Sequence, residues 1–192
     1  MKPPKLFMIL LGCTPKNRLT EQHDVFFGMG EQLKDLVPTM FTFWPESKET
    51  LHIDCWKEIN FVDQYKIEIQ PRSDVKRDLQ LFFINLGGYL ENEFEEYHHK
   101  VLIVAKNKSE AIKKVKNTLF YKKFNIKGGA SHIDDKYGID IDEIFTVFLN
   151  NIFDLIVDSC RKRHSLLEVC KLIPNPVNVI DESHIKHTIY FI

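Results

Sequence analysis

The chain has 192 residues, enough for one ordinary domain or two small ones, and its 44% hydrophobic and 12% aromatic content is sufficient for a packed core. Lys and Arg total 26 against 27 Asp and Glu, so no overall field draws the protein to nucleic acid or to an anionic membrane. No apolar run approaches the ~20 residues needed to cross a bilayer, and Cys13, Cys55, Cys160 and Cys170 form no CxxC pair, which excludes a zinc knuckle and a thioredoxin-like redox site.

The first apolar segment, Leu6 to Leu11, follows Lys2 and Lys5 and ends in Leu-Leu-Gly-Cys, which imitates a lipoprotein processing site. A nearly identical string, LFFINLGG, recurs in mid-chain, where no signal peptide acts. The segment is therefore read as a buried strand, and the protein as cytoplasmic. A shift of 75 lays Leu6 to His23 over Leu81 to His98, with eight of eighteen positions identical. Chance gives about one. Among the identities are Gly12/Gly87, Asn17/Asn92, Glu21/Glu96 and His23/His98. The expected architecture is an α+β tandem duplication, since self-similarity at a fixed spacing marks repeated structural units.

In chain order, each copy opens with an apolar strand ended by glycine, and second strands are expected at Val25 to Met29 and Val101 to Ala105. Leu33, Leu36, Val37, Met40 and Phe41 draw a helical face that Pro38 shortens or kinks. Ala111, Ile112, Val115 and Leu119 draw the corresponding face after Ser109, read as an N-cap. A shift of 80 then matches His52-Ile53-Asp54 to His132-Ile133-Asp134, and each copy closes on a strand, Tyr65 to Ile69 and Ile144 to Phe148. The expected unit is ββαββ, spanning residues 5–70 and 79–148, with the two copies packed about a pseudo-twofold axis. Residues 149–192 form an unmatched extension. Ile152, Phe153, Ile156, Cys160, Leu167 and Cys170 suggest a helix, Pro174-Asn175-Pro176 a break, and His187 to Ile192 a last strand.

LFMILLGC with EQHDVFFGMG, then FWPE and HIDCWKEINFVDQYKIEI, then LFFINLGGYLENEFEEYH and SHIDDKYGIDID, together resemble the bacterial family of domain of unknown function 1543, over about residues 5 to 148. The resemblance implies a small α+β unit, often in two copies, of the ubiquitin-like roll type, with no assigned activity.

Each copy carries Glu-x-His, Glu21/His23 and Glu96/His98, and His-x-Asp, His52/Asp54 and His132/Asp134. Residues two apart on a strand share a face, so each pair can converge on one ligand. Imidazole with carboxylate suits zinc, iron or manganese, and Asp24 and Asp135 offer further carboxylates. The competing role for these residues is a structural latch of hydrogen-bonded loop groups. Repetition favours the latch, because both halves need one. The preferred reading is thus a non-enzymatic binding or assembly module with a protein partner. The alternative is a metal-dependent enzyme using these pairs; a divalent metal is its only candidate cofactor. The lysine-rich stretch from Lys106 to Lys127 is flanked by acids and reads as a solvated face. Gly87-Gly88 and Gly128-Gly129 lack phosphate-loop spacing.

Overall fold

The computed structural model describes residues 3–47, 50–73, 77–89, 92–117, 139–147, 153–159 and 171–178. They form an α+β protein of ten strands and few helices, in which every strand pairing is antiparallel.

Two compact units divide the chain at 60/61 and 163/164. In the first, β1 (Lys5–Cys13) pairs with β2 (Gln22–Gly30) on one edge and with β3 (His52–Glu58) on the other. The alternation of β1 explains its central place. Phe7, Ile9 and Leu11 point to one face and are fully buried beside Phe26, Leu33, Leu36, Met40 and Ile53. Each such side chain contributes ~1.5–3 kcal/mol by leaving water. The helical cover is a 3-10 turn, Leu33–Leu36, followed by α1 (Val37–Phe43). Pro38 falls in the first turn of α1, where a missing N–H costs nothing, and the helix is short as expected.

In the second unit, β6 (Gln80–Tyr89) lies between β7 (Glu96–Ala105) and β8 (Ile139–Thr146), with α2 (Lys108–Val115) over one face. Phe82, Ile84 and Leu86 alternate inward here and meet Ile103, Ala105, Ala111 and Val115. Helix α2 is capped by Asn107 rather than Ser109: Asn107 Oδ1 accepts from Glu110 N at 3.0 Å, and Glu110 Oε2 accepts from Lys106 N at 3.1 Å. A further sheet of this unit joins β4 (Phe61–Val62), β5 (Tyr65–Pro71) and β9 (Phe153–Ser159), with Ile67 opposite Val157.

Several expectations are corrected. Residues 153–159 are strand β9, not helix: Phe-Asp-Leu-Ile-Val combines β-branched residues with an alternation that suits a strand, and β5 supplies its hydrogen-bonding partner. Residues 174–176 do not end an element. They lie inside β10 (Lys171–Asn178), in the register shift between Leu172 and Val177, and β10 is the edge strand beside β3, where prolines are tolerated. The strand expected from Ile144 begins earlier, at Ile139, and occupies beside β6 the place that β3 has beside β1. The compact units also differ from the boundaries 5–70, 79–148 and 149–192, because β5 pairs with β9 and β10 pairs with β3, so the extension contributes strands to both. Residues 118–138 and 179–192, with His132, Asp134, Asp135, Gly128-Gly129 and the expected last strand, lie outside the described residues.

Candidate metal centre

The face of the β1 sheet turned away from the helices carries the polar cluster. On it, Gly12 of β1 stands directly opposite His23 on β2 and His52 on β3. Having no side chain, Gly12 leaves a hollow that His52 and Asp54 enter. A Cβ built there would come within 2.5 Å of His52 Nε2 and 2.7 Å of Asp54 Oδ2, closer than real contacts allow.

Asp54 enters the hollow by a different device. The β1–β3 register runs from Leu10↔Cys55 to Leu11↔Ile53, so Asp54 is the extra residue of a β-bulge. Bulges re-aim a side chain without breaking the strand. Glu21, two residues before His23, reaches in from the start of β2.

The four side chains meet. His52 Nε2 lies 2.8 Å from Glu21 Oε1 and 3.3 Å from Asp54 Oδ1, while His23 Nε2 lies 3.2 Å from Asp54 Oδ2 and 3.6 Å from Glu21 Oε2. An ion with bonds of ~2.0–2.2 Å sets adjacent ligand atoms roughly 3 to 3.5 Å apart. The separations fall in or next to that range, with each imidazole meeting a different oxygen of each carboxylate; one ligand atom from every residue lies within 4.8 Å of the others, among the described residues, only at Glu96, His98 and Asp142. His52 is nearly buried, with 10% of its side chain exposed, whereas His23 and Glu21 are 42% and 43% exposed, so the cluster opens to solvent on one side.

Hydrogen bonding fixes which nitrogen of His52 is available. Its Nδ1 stands 2.9 Å from the Thr50 carbonyl. A carbonyl only accepts, so Nδ1 carries the proton. Nε2 then faces two carboxylates, which also only accept. Either a proton or a cation therefore lies between Nε2 and those oxygens. A second ring nitrogen tied to a backbone carbonyl is the usual support of a metal-binding histidine. Among the described residues nothing donates a hydrogen bond to the buried Asp54 Oδ2, although an unmade bond of this kind costs ~1–3 kcal/mol.

The second unit repeats the construction. Gly87 of β6 faces His98 on β7 and position 140 on β8, and a Cβ there would lie 2.6 Å from Asp142 Oδ2. The register shift between Asn85↔Glu143 and Leu86↔Ile141 makes Asp142 the bulge residue. His98 Nε2 is 3.3 Å from Asp142 Oδ2 and 3.8 Å from Glu96 Oε2, and one ligand atom from each of the three residues lies within 4.8 Å of the others.

Sequence reasoning paired Glu21 with His23, His52 with Asp54 and Glu96 with His98, and the structure brings the first two pairs side by side. That reasoning missed Asp142. The recurrence of His-Ile-Asp at 132–134 drew the comparison away from Asp140-Ile141-Asp142, whose backbone pairs with β6 as His52-Ile53-Asp54 pairs with β1. The usable signal was distance from the next apolar strand, not residue identity. Asp24 is engaged locally, its Oδ1 accepting from Val25 N at 2.6 Å. Beside the site, the Cys13 thiol is held above its usual pKa by burial, then by the charges of Glu21 and Glu46.

Comparison with known proteins assigns no activity. Residues 18–69, which include Glu21, His23, His52 and Asp54, match the family described as Domain of Unknown Function (DUF1543). No curated protein matches the chain. The crystal structure of a protein Il1583 from Idiomarina loihiensis is similar in fold, with a TM-score of 0.58 and 19% identity, over 89% of this chain and 98% of that one.

Proposed function

We propose that this protein binds divalent transition metal ions, and that its first centre consists of Glu21, His23, His52 and Asp54. The observation that carries the reading is the orientation of His52: Nδ1 is committed to the Thr50 carbonyl, and Nε2 is turned into a pocket of carboxylate oxygens. Two imidazoles and two carboxylates suit zinc, iron or manganese. The exposed side of the cluster leaves room for a further ligand, and an ion with an open position makes bound water more acidic and polarises carbonyl or phosphoryl groups. Metal-assisted hydrolysis is therefore the enzymatic form of the proposal. In that form His52 and Asp54 would hold the ion from β3, while the more exposed His23 of β2 and Glu21 just before it would complete the set.

The two halves are proposed to be copies of one unit. The support lies in the placement of matched residues: Asn17 and Asn92 both adopt the left-handed conformation at φ 68, Gly12 and Gly87 both face a histidine, and Asp54 and Asp142 both occupy a bulge.

The test is metal analysis and calorimetric titration of protein purified without a histidine tag. About one equivalent of Zn2+ is expected at the first centre, and His52→Gln, which cannot present the same lone pair, should weaken it at least about tenfold. Less than ~0.1 equivalent after loading with zinc, manganese and iron would remove the reading, since a genuine set of four ligands fills. A second reading is supported by the 2.8 Å separation of His52 and Glu21, which is also a hydrogen-bond length. In it, His52 is a latch hydrogen-bonded to Glu21 and the protein is a non-enzymatic assembly module with a protein partner. Zinc would then leave the melting temperature unchanged.

A further inference from the structure

The two centres share a construction but not a donor set. In the first unit the residue facing the central glycine from the third strand is a histidine, His52; in the second unit the corresponding position, 140, is an aspartate in the sequence. Whatever the conformation of that side chain, the second unit has no second imidazole at this position. Its described ligand atoms are one nitrogen, His98 Nε2, and two carboxylates, Glu96 and Asp142.

We propose that the chain is a two-ion protein with sites of unequal selectivity: the Glu21–His23–His52–Asp54 centre retains Zn2+, and the Glu96–His98–Asp142 centre is the one that Mn2+ occupies. The inference extends the metal reading of the first unit and rests on it. Imidazole nitrogen favours zinc and its neighbours, while carboxylate oxygen suits manganese and magnesium. Zinc exceeds manganese in absolute affinity at nearly any mixed nitrogen and oxygen site, so selectivity appears as a difference between two ratios. Lacking an imidazole at this position, the second centre has a narrower zinc preference, which helps a hard ion compete. Both sites have the structural means to hold an ion. The carboxylate of Asp142 fills the space above Gly87 as the Asp54 carboxylate fills that above Gly12, each delivered by its own bulge.

The measurement is Mn2+ electron paramagnetic resonance on the full chain, where bound manganese loses the sharp sextet of the free ion, with Zn2+ added stepwise. In excess Mn2+, the first equivalent of Zn2+ should leave about one Mn2+ bound, and only the second should release it. His98→Ala and the near-isosteric Asp142→Asn should each weaken this remaining Mn2+ at least about tenfold. Neither should alter uptake of the first Zn2+, and circular dichroism would verify that both variants are folded. His52→Asp, which gives the first centre a donor set closer to the second, should lower its zinc-to-manganese ratio about tenfold. Even partition of the first equivalent of Zn2+ between the centres would overturn the inference, as would manganese binding indifferent to both His98→Ala and Asp142→Asn. Zn2+ uptake insensitive to His52→Gln, with manganese still lost in His98→Ala, would overturn the reading of the first centre alone.

Discussion

Gly12 makes the first centre geometrically feasible, and its replacement isolates the site from the fold. In Gly12→Ala the new methyl would meet His52 Nε2 at 2.5 Å, so the imidazole must swing out of the hollow. Zinc affinity is expected to fall at least about tenfold. The strain should cost ~1–3 kcal/mol, readable as a lower denaturation midpoint with an intact circular dichroism spectrum. Asn17 permits a cleaner test of backbone, because it adopts φ 68 at an exposed turn. Asn17→Ala is expected to cost ~1 kcal/mol and Asn17→Gly almost nothing, measured by urea unfolding. For Cys13, folding raises the thiol pKa through burial and the nearby Glu21 and Glu46 carboxylates. The unfolded chain therefore loses this proton first. Its contribution to stability is intact below about pH 8.5 and declines as pH rises beyond it. The folded thiol should react with a disulfide reagent at pH 8 far more slowly than the denatured one. At this scale the sequence was informative where identity and function coincide. Glu-x-His is a local pattern, and two-residue periodicity suffices to place both side chains on one face of a strand. Asp142 was hidden because its role depends on a bulge, and no residue type announces a bulge.

Among the elements, the central strands were the most legible, because glycine-terminated apolar runs with inward alternation have few other folded forms. Helix α2 was correctly placed but its start was not. Asn107 and Ser109 are both good caps, and the reciprocal bonds of Asn107, Glu110 and Lys106 decide between them. Asn107→Ala should therefore destabilise the protein by about 1 kcal/mol, checked by thermal melting, whereas Ser109→Ala should have little effect. The error at β9 has a different origin. Ile152, Phe153 and Ile156 satisfy a helical spacing, yet short apolar runs also fit strands, and the arbiter was a partner far away in sequence: β5, with Ile67 opposite Val157. Likewise the prolines of β10 signal a break only if the strand is central; on an edge, next to a register shift, their missing donors are not needed.

For the whole chain, the self-similarity of the sequence accompanies a hairpin, a helix and a third strand that follow in the same order twice. It did not reveal that β10 would border the first sheet or that β5 would border β9, since pairing partners at such separations leave no local trace. The metal proposal has a thermodynamic consequence at this scale. An ion that binds only the folded form at a hundred times its dissociation constant stabilises that form by about 2.7 kcal/mol. Differential scanning calorimetry should show Zn2+ raising the unfolding temperature of the native chain, with the rise lost in His52→Gln.

The central glycine has one more consequence, which concerns inheritance. Gly12 and Glu21 stand nine residues apart, as do Gly87 and Glu96, with histidine two further on in each case. On the metal proposal, three parts of each centre therefore travel on a single hairpin, and the third strand need supply only a bulged aspartate and one variable neighbour. Such a cassette can be copied whole and then diversified by changing a single codon on the third strand. Relatives that keep Gly-x8-Glu-x-His while varying that neighbour would preserve the hollow and retune its occupant.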